Sequence, residues 1–208
     1  MCRLWRVVCS ILASDGIAAT IRFRFSHVAY IASFFMSSNS HFEIRSATLR
    51  DAKAIADIHV NASRGAGFAP SDPFAILAAD KRQAHWREAI EYSEPQVMVA
   101  LDAGQIIGFV GFDRSRDAGT PPTTGEIWAL YLTPAYQGKG AGLALWDAAR
   151  EGLLEEGCSQ VTLWLPLANE RALRFFELAG FKRQMNSIRT VPIGGVRIEE
   201  MRLKRTLT

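Results

Sequence analysis

The sequence predicts an α/β (α+β) chain in which a mixed sheet is flanked by helices. Three observations carry this. From His41 onward, period-two strand patterns and 3.6-period helix patterns succeed one another, ending in the order ββ, β, α, β, α, β, β. Glycine and proline punctuate nearly every boundary between them. The 208 residues, 49% hydrophobic and 22% charged, suit one core-forming domain with an appendage rather than a disordered chain.

The elements follow in order. Phe42 to Ala47 alternates and reads as a strand. Thr48-Leu49-Arg50-Asp51 resembles a capping box with Asp in place of Glu. It opens a helix with Ile55, Ile58 and Ala62 on one face, stopped by Gly65 and Gly67. Pro70 and Pro73 bracket a loop, and Phe74 to Tyr92 reads as a helix with Trp86, Ala89 and Ile90 on one side. Val97–Leu101 and Gln105–Phe112 form a hairpin through Asp102-Ala103-Gly104. Residues 113–124 are a polar loop. Glu126–Leu132 is a strand, Gly140–Glu156 a helix closed by Gly157, and Val161–Leu165 a strand. Asn169–Ala179 is a helix ended by Gly180. Two strands over 181–191 and 195–205, joined at Pro192–Gly195, complete the chain.

The net charge of +3 has one source. Arg3, Arg6, Arg22 and Arg24 stand against Asp15 alone in residues 1–35, so the other 173 residues balance at 20 bases and 20 acids. A balanced body argues against nucleic-acid binding, which needs clustered Lys and Arg. Residues 1–40 read as an N-terminal extension, poorly ordered or translated from upstream sequence, with Met36 the natural start. Their apolar runs are short for a signal peptide or a membrane helix, so no stable membrane insertion is expected; a weak surface anchor or a targeting leader are the other readings. Cys2, Cys9 and Cys158 make no disulfide framework and no metal cluster, which points to a reduced, cytoplasmic setting without a metal. Cys158 reads as a small core residue.

The stretch richest in chemical meaning runs from Leu130 through Gln137-Gly138-Lys139-Gly140-Ala141-Gly142. A strand ends, a turn follows, and alternate glycines lead into a helix. A helix start offers unpaired N–H groups and partial positive charge, and glycine lets phosphates approach the backbone. A pyrophosphate site is therefore expected. A Walker A loop would need Ser or Thr after Lys139, and a dinucleotide fingerprint would need G-x-G-x-x-G with an acid about twenty residues on. Neither is present.

Gln137–Gly142 resembles the Q/R-x-x-G-x-G/A signature of the GCN5-related (GNAT) N-acetyltransferases, and Asn169 to Phe181 resembles their N-x-x-A-x-x-x-Y-x-x-x-G-F segment. The similarity covers roughly residues 41–205. It implies a mostly antiparallel central sheet with a splayed strand pair at the cofactor site, and acetyl-CoA as co-substrate. Leu130, Tyr131 and Leu132 would pair with the pantetheine arm. Gln137, Gly138, Lys139, Gly140, Ala141 and Gly142 would hold the pyrophosphate, Lys139 either adding charge or simply facing solvent. Asn169 would contact the cofactor arm, cap its helix, or both. Homodimerisation is compatible with the resemblance.

The implied reaction is acetyl transfer to a primary amine of a small molecule or peptide. The amine must lose a proton, and Glu126, on the strand leading to the cofactor site, is the candidate base; otherwise it is a solvent-facing strand residue. Phe176 stands where the family commonly has a Tyr acid. Its ring can pack on the pantetheine, while Tyr131 and Tyr136 are substitute acids. Acceptor-lining candidates are His59, Arg64, Phe68, Trp86 and Tyr92; His59 and Trp86 also read as structural. Trp128, Trp146 and Trp164 read as core. The lack of an acid at Phe176 also motivates a different class of function, a non-catalytic acyl-CoA-binding module or sensor. A nucleotide-binding enzyme is a third.

Overall fold

The structure is a computed structural model that describes residues 42–65, 79–193 and 196–207. The N-terminal extension, the loop containing Gly67, Phe68, Pro70 and Pro73, and the expected helix start at Phe74 lie outside the described residues.

Strand β1 (Glu43–Ser46) leads into helix α1 (Ala52–Gly65). The expected cap is present in altered form. Asp51 accepts from the Thr48 N–H at 2.7 Å and its hydroxyl at 2.9 Å, and Arg45 pairs with the same carboxylate at 2.7 Å. These donors hold the Asp51 carboxyl at about 2, the Arg45 hydrogen bond first. Helix α2 (Ala79–Tyr92) follows, then the hairpin β2 (Gln96–Asp102) and β3 (Gln105–Arg114). Its two turn residues, Ala103 and Gly104, both have positive φ, as a tight hairpin turn requires. Next come β4 (Thr124–Leu132), α3 (Ala141–Glu155), β5 (Gln160–Pro166) and α4 (Glu170–Leu178). The chain closes with β6 (Lys182–Arg183), β7 (Arg189–Ile193) and β8 (Val196–Thr206). The expected single strand over 181–191 is thus broken in two. A 3-10 turn at Met185–Ser187 interrupts it, held where the Ser187 hydroxyl donates to the Gln184 carbonyl and accepts from the Arg202 N–H.

The strands form one mostly antiparallel sheet in the order β1-β2-β3-β4-β5-β8-β6, with β7 on β8. Helices cover both faces. Leu145, Trp146, Ala149 and Leu153 of α3, with Leu173 and Phe176 of α4, pack on Phe112, Ile127, Val161 and Leu203. Ile55 and Ile58 of α1, with Trp86 and Ala89 of α2, pack on Val99, Phe109 and Ala129. Gly125 shows how close α3 lies: a Cβ there would sit 2.6 Å from Leu153 Cδ2.

One contact in the sheet, β4 with β5, is parallel and short. It has three register pairs, ending at Glu126 with Thr162, although β4 continues to Leu132 and β5 to Pro166. On its other side β4 stays paired with β3, but with an irregularity: Gly111 faces Ala129 while Phe112 faces Ile127, so Trp128 is an extra residue. Such a bulge bends its strand and sharpens its twist. The two arms therefore part just beyond Glu126, which is the splayed pair the resemblance implies.

Candidate active site

Beyond Glu126, the β5-facing edge of β4 has no ladder partner among the described strands. Leu130, Tyr131 and Leu132 lie on this half-buried stretch. Thr133 closes it by donating its N–H to Ile107 O at 2.8 Å, and a 3-10 turn over Pro134–Tyr136 redirects the chain. The Tyr136 hydroxyl donates to Asp102 Oδ2 at 2.8 Å, which ties the turn to the β2–β3 hairpin. That bond pushes the Tyr136 phenol up.

The glycine turn comes next. Gly138 has φ +76° and Gly140 φ +94°, and a Cβ on either would meet nothing within 4 Å. Glycine is needed here for the left-handed backbone, and open space lies in front of it. Gly140 starts α3 with no side-chain cap, while Leu143 and Ala144 donate back to its carbonyl. The N–H groups just before them are the natural anion donors. Gly142 differs: its helix start packs against Leu132 and Phe175, at 3.3 and 3.4 Å from a built Cβ. Ala141 is fully buried beneath the turn. Gln137 reaches back toward the Leu132 carbonyl at 3.5 Å, and Lys139 is exposed, its Nζ 5.4 Å from the Tyr136 ring centre.

Asn169 caps α4, its Oδ1 accepting from the Ala172 N–H at 3.1 Å. Its amide nitrogen is not used by that cap. Phe176 is 5% exposed and stands edge-on to Phe175 and Phe181. It is a core ring on the α3–α4 side.

The opposite face holds the carboxylate. Glu126 is 4% exposed, which overturns its reading as a solvent-facing strand residue. Both oxygens are held by one residue: Arg116 N–H donates to Oε2 at 2.9 Å, and Arg116 Nη2 to Oε1 at 2.8 Å. The same guanidinium lies 3.6 Å over the Trp128 ring. The next residue, Asp117, accepts from Trp164 Nε1 at 3.1 Å and Arg202 Nη1 at 3.0 Å. Arg189 covers Trp164 at 3.5 Å. The β3–β4 loop thus touches both arms of the splayed pair, Arg116 on β4 and Asp117 on β5. Trp128 and Trp164 are half-buried platforms for arginines, which corrects their reading as core; Trp146, 1% exposed, is core as expected.

His59 and Trp86 do come together, as an aromatic floor beneath this face. Trp86 Nε1 donates to His59 Nδ1 at 3.2 Å, and His59 stacks on Tyr131 at 4.7 Å. Burial, then the charges of Arg82 and His85, hold the His59 imidazole down at about 3, so it is neutral. Tyr92 is 69% exposed at the end of α2; Phe68 and the Arg64 side chain lie outside the described residues. Cys158 is a free, buried thiol, pushed up by burial as a core residue would be. A separate cavity of about 400 Å³ lies between the end of α2, the β1–β2 edge and α3, and shares no residue with either side of the cleft.

A strand leaving its parallel neighbour at a buried carboxylate and running into a glycine-rich helix start is a specific arrangement. Residues 67–181 match the model of the acetyltransferase (GNAT) family. The chain belongs to that family, whose members are acyltransferases. The uncharacterized N-acetyltransferase YuaI of Bacillus subtilis is 31% identical over 165 residues, covering 77% of this chain and 90% of YuaI. A mycothiol acetyltransferase of Propionibacterium freudenreichii is 36% identical over 109 residues, but this chain spans only 33% of that protein's length. Among solved structures, PaiA N-acetyltransferase from Thermoplasma acidophilum in complex with coenzyme A has a TM-score of 0.62 at 16% identity, covering 79% of this chain and 98% of PaiA. YncA from Salmonella typhimurium with its cofactor acetyl-CoA has a TM-score of 0.63 at 24% identity, covering 81% and 95%. Among the described residues, no helix of this GNAT chain is long and apolar enough to cross a membrane.

Two residues at the Glu126 corner escape sequence reasoning, Arg116 and Asp117. The available signal was weak: a charged pair inside the polar loop that immediately precedes the Glu126 strand.

Proposed function

We propose that this chain transfers the acetyl group of acetyl-CoA to a primary amine of a small molecule or peptide. The observation that carries this reading is the parting of β4 from β5 at Glu126, with the free edge of β4 running into the Gly138–Gly140 turn. Leu130, Tyr131 and Leu132 would offer that edge to the pantetheine arm as a substitute strand. The backbone N–H groups from Gly138 to Gly142, with Gln137, Ala141 and the Lys139 charge, would hold the pyrophosphate. Asn169 would reach the arm with the amide nitrogen that its cap leaves over.

Acetyl-CoA supplies an activated thioester, in which a C–N bond forms as the C–S bond breaks. Glu126 accepts the proton that the amine must lose first, from a position where one of its oxygens remains held by the Arg116 N–H. No general acid is assigned. A thiolate is a good leaving group, since free thiols ionise at a pKa of about 8.5. The apolar, buried Phe176 is consistent with that economy. The reading also includes a reducing, cytoplasmic setting and no nucleic-acid partner, supported by the free Cys158 and the charge balance of residues 36–208. A homodimer stands as an expectation.

The test is release of coenzyme A over a panel of primary amines, alongside calorimetric binding of acetyl-CoA. Turnover on at least one amine that Glu126→Gln lowers by roughly 10²-fold or more supports the enzyme. Tight acetyl-CoA binding with no turnover on any amine, unchanged in Glu126→Gln, favours a non-catalytic acyl-CoA-binding module.

A further inference from the structure

The Glu126 carboxylate is held in two unlike ways, and the difference identifies the acceptor's seat. The Oε2 bond, 2.9 Å, comes from the Arg116 backbone N–H. That backbone is pinned by its neighbour, because Asp117 is bound by Trp164 and Arg202. The Oε1 bond, 2.8 Å, comes from the Arg116 guanidinium, at the end of a side chain that is 58% exposed. The carboxylate itself is only 5% exposed. A long exposed side chain can leave without disturbing the loop. Among the described residues Arg116 is the cation paired with this carboxylate, and leaving a buried carboxylate uncompensated is costly, so another cation is favoured in its place.

We propose that the space now filled by the Arg116 guanidinium, between Oε1 of Glu126 and the face of Trp128, is the seat for a cationic group of the acceptor, and that Arg116 is a specificity-determining residue that competes for it. The seat has the two features that select an organic cation. One is a buried carboxylate oxygen, and the other is an indole face 3.6 Å from the charge centre. It therefore takes acceptors that arrive as alkylammonium ions. The incoming ammonium exchanges one cation for another at the same two partners. The geometry also couples binding to chemistry: the oxygen that seats the ammonium is the oxygen that then takes its proton, leaving a neutral amine nitrogen. Oε2 stays on the Arg116 N–H throughout, which keeps the carboxylate aimed.

This inference rests on the acetyltransferase reading for the word acceptor, but the seat can be tested without turnover. The probe is methylguanidinium, titrated at constant ionic strength into the full chain labelled with nitrogen-15. The indole resonances of its five tryptophans are followed, with Trp128 assigned through Trp128→Phe. Arg116→Ala should bind methylguanidinium at least tenfold more tightly than wild type, with the largest shift at Trp128. Arg116→Gln should do the same, and adding Trp128→Leu to either should abolish the gain. With an amine that turns over, Arg116→Ala should lower its KM at least threefold, and methylguanidinium should compete with it. The proposal is overturned if neither variant gains affinity. It is also overturned if methylguanidinium accelerates Arg116→Ala, because the guanidinium would then be a working part of the site. Absence of turnover on every amine would defeat the acetyltransferase reading alone, since the titration would still decide the seat.

Discussion

The two ends of β4 are built from different materials. Past its C-terminal end, residues 137–142 form a turn of contiguous sequence whose chemistry is backbone N–H groups and glycine φ angles. At its N-terminal end, the Glu126 corner is assembled from side chains of β4, β5, β8 and the β3–β4 loop. The first suits a ligand that every family member shares, because backbone geometry does not depend on side-chain identity. The second suits a ligand that differs between members, because each contributing side chain can change independently.

The largest expected effect tests the backbone end. Gly140→Val places a β-branched residue at φ +94°, where only strain, not a clash, opposes it. Acetyl-CoA binding should weaken at least ~100-fold by calorimetry, from misplacement of the helix start that presents the N–H donors. Wild-type affinity in this variant would break the comparison, since the turn would then be mere packing.

Glu126→Gln tests the other end. It should lower kcat by roughly 10²-fold or more, the range for losing a general base, with acetyl-CoA affinity within about twofold. If affinity for acetyl-CoA falls as far as kcat, the two ends are not separable.

The aromatic cluster around His59 predicts a pH dependence. His59 is held at about 3 in the fold against 6.5 ordinarily. The unfolded chain therefore binds a proton there that the folded chain refuses, and stability falls as pH drops below about 6.5 toward 3. In His59→Phe, the fall in melting temperature over that window should be shallower. An unchanged slope would mean that other groups govern the acid limb. Asp51, held at about 2, contributes stability that is present above its ordinary 3.8 and lost as pH falls from there toward about 2, so most of the His59 window lies above that of Asp51.

The smallest effect sharpens the chemistry between the ends. Phe176→Tyr should change kcat by less than threefold, because a thiolate needs little help to leave and the ring is buried against Phe175 and Phe181. A larger rise would show that a missing acid limits the rate.

What was legible in the sequence follows the same division. The strand into Leu132, the positive-φ glycines and the Asn169 cap are local, each set by residues within a few positions. The last strands were less legible, because the turn at Met185–Ser187 depends on Arg202, a residue fifteen positions beyond Ser187. Trp128 and Trp164 look like core by residue type, and only their arginine neighbours show otherwise.

By itself, the sequence determined the family resemblance, most of the order of elements and the glycine turn that opens α3, since periodicity, glycine conformation and helix capping act over a few residues. Tertiary structure alone decided that β4 parts from β5 after Glu126, that this carboxylate is buried, and that Arg116 sits on it. Those outcomes depend on one extra residue against β3 and on contacts such as Asp117 with Trp164 and Arg202, 47 and 85 positions apart. Sequence spacing cannot reveal which distant side chains a sheet will bring to one face.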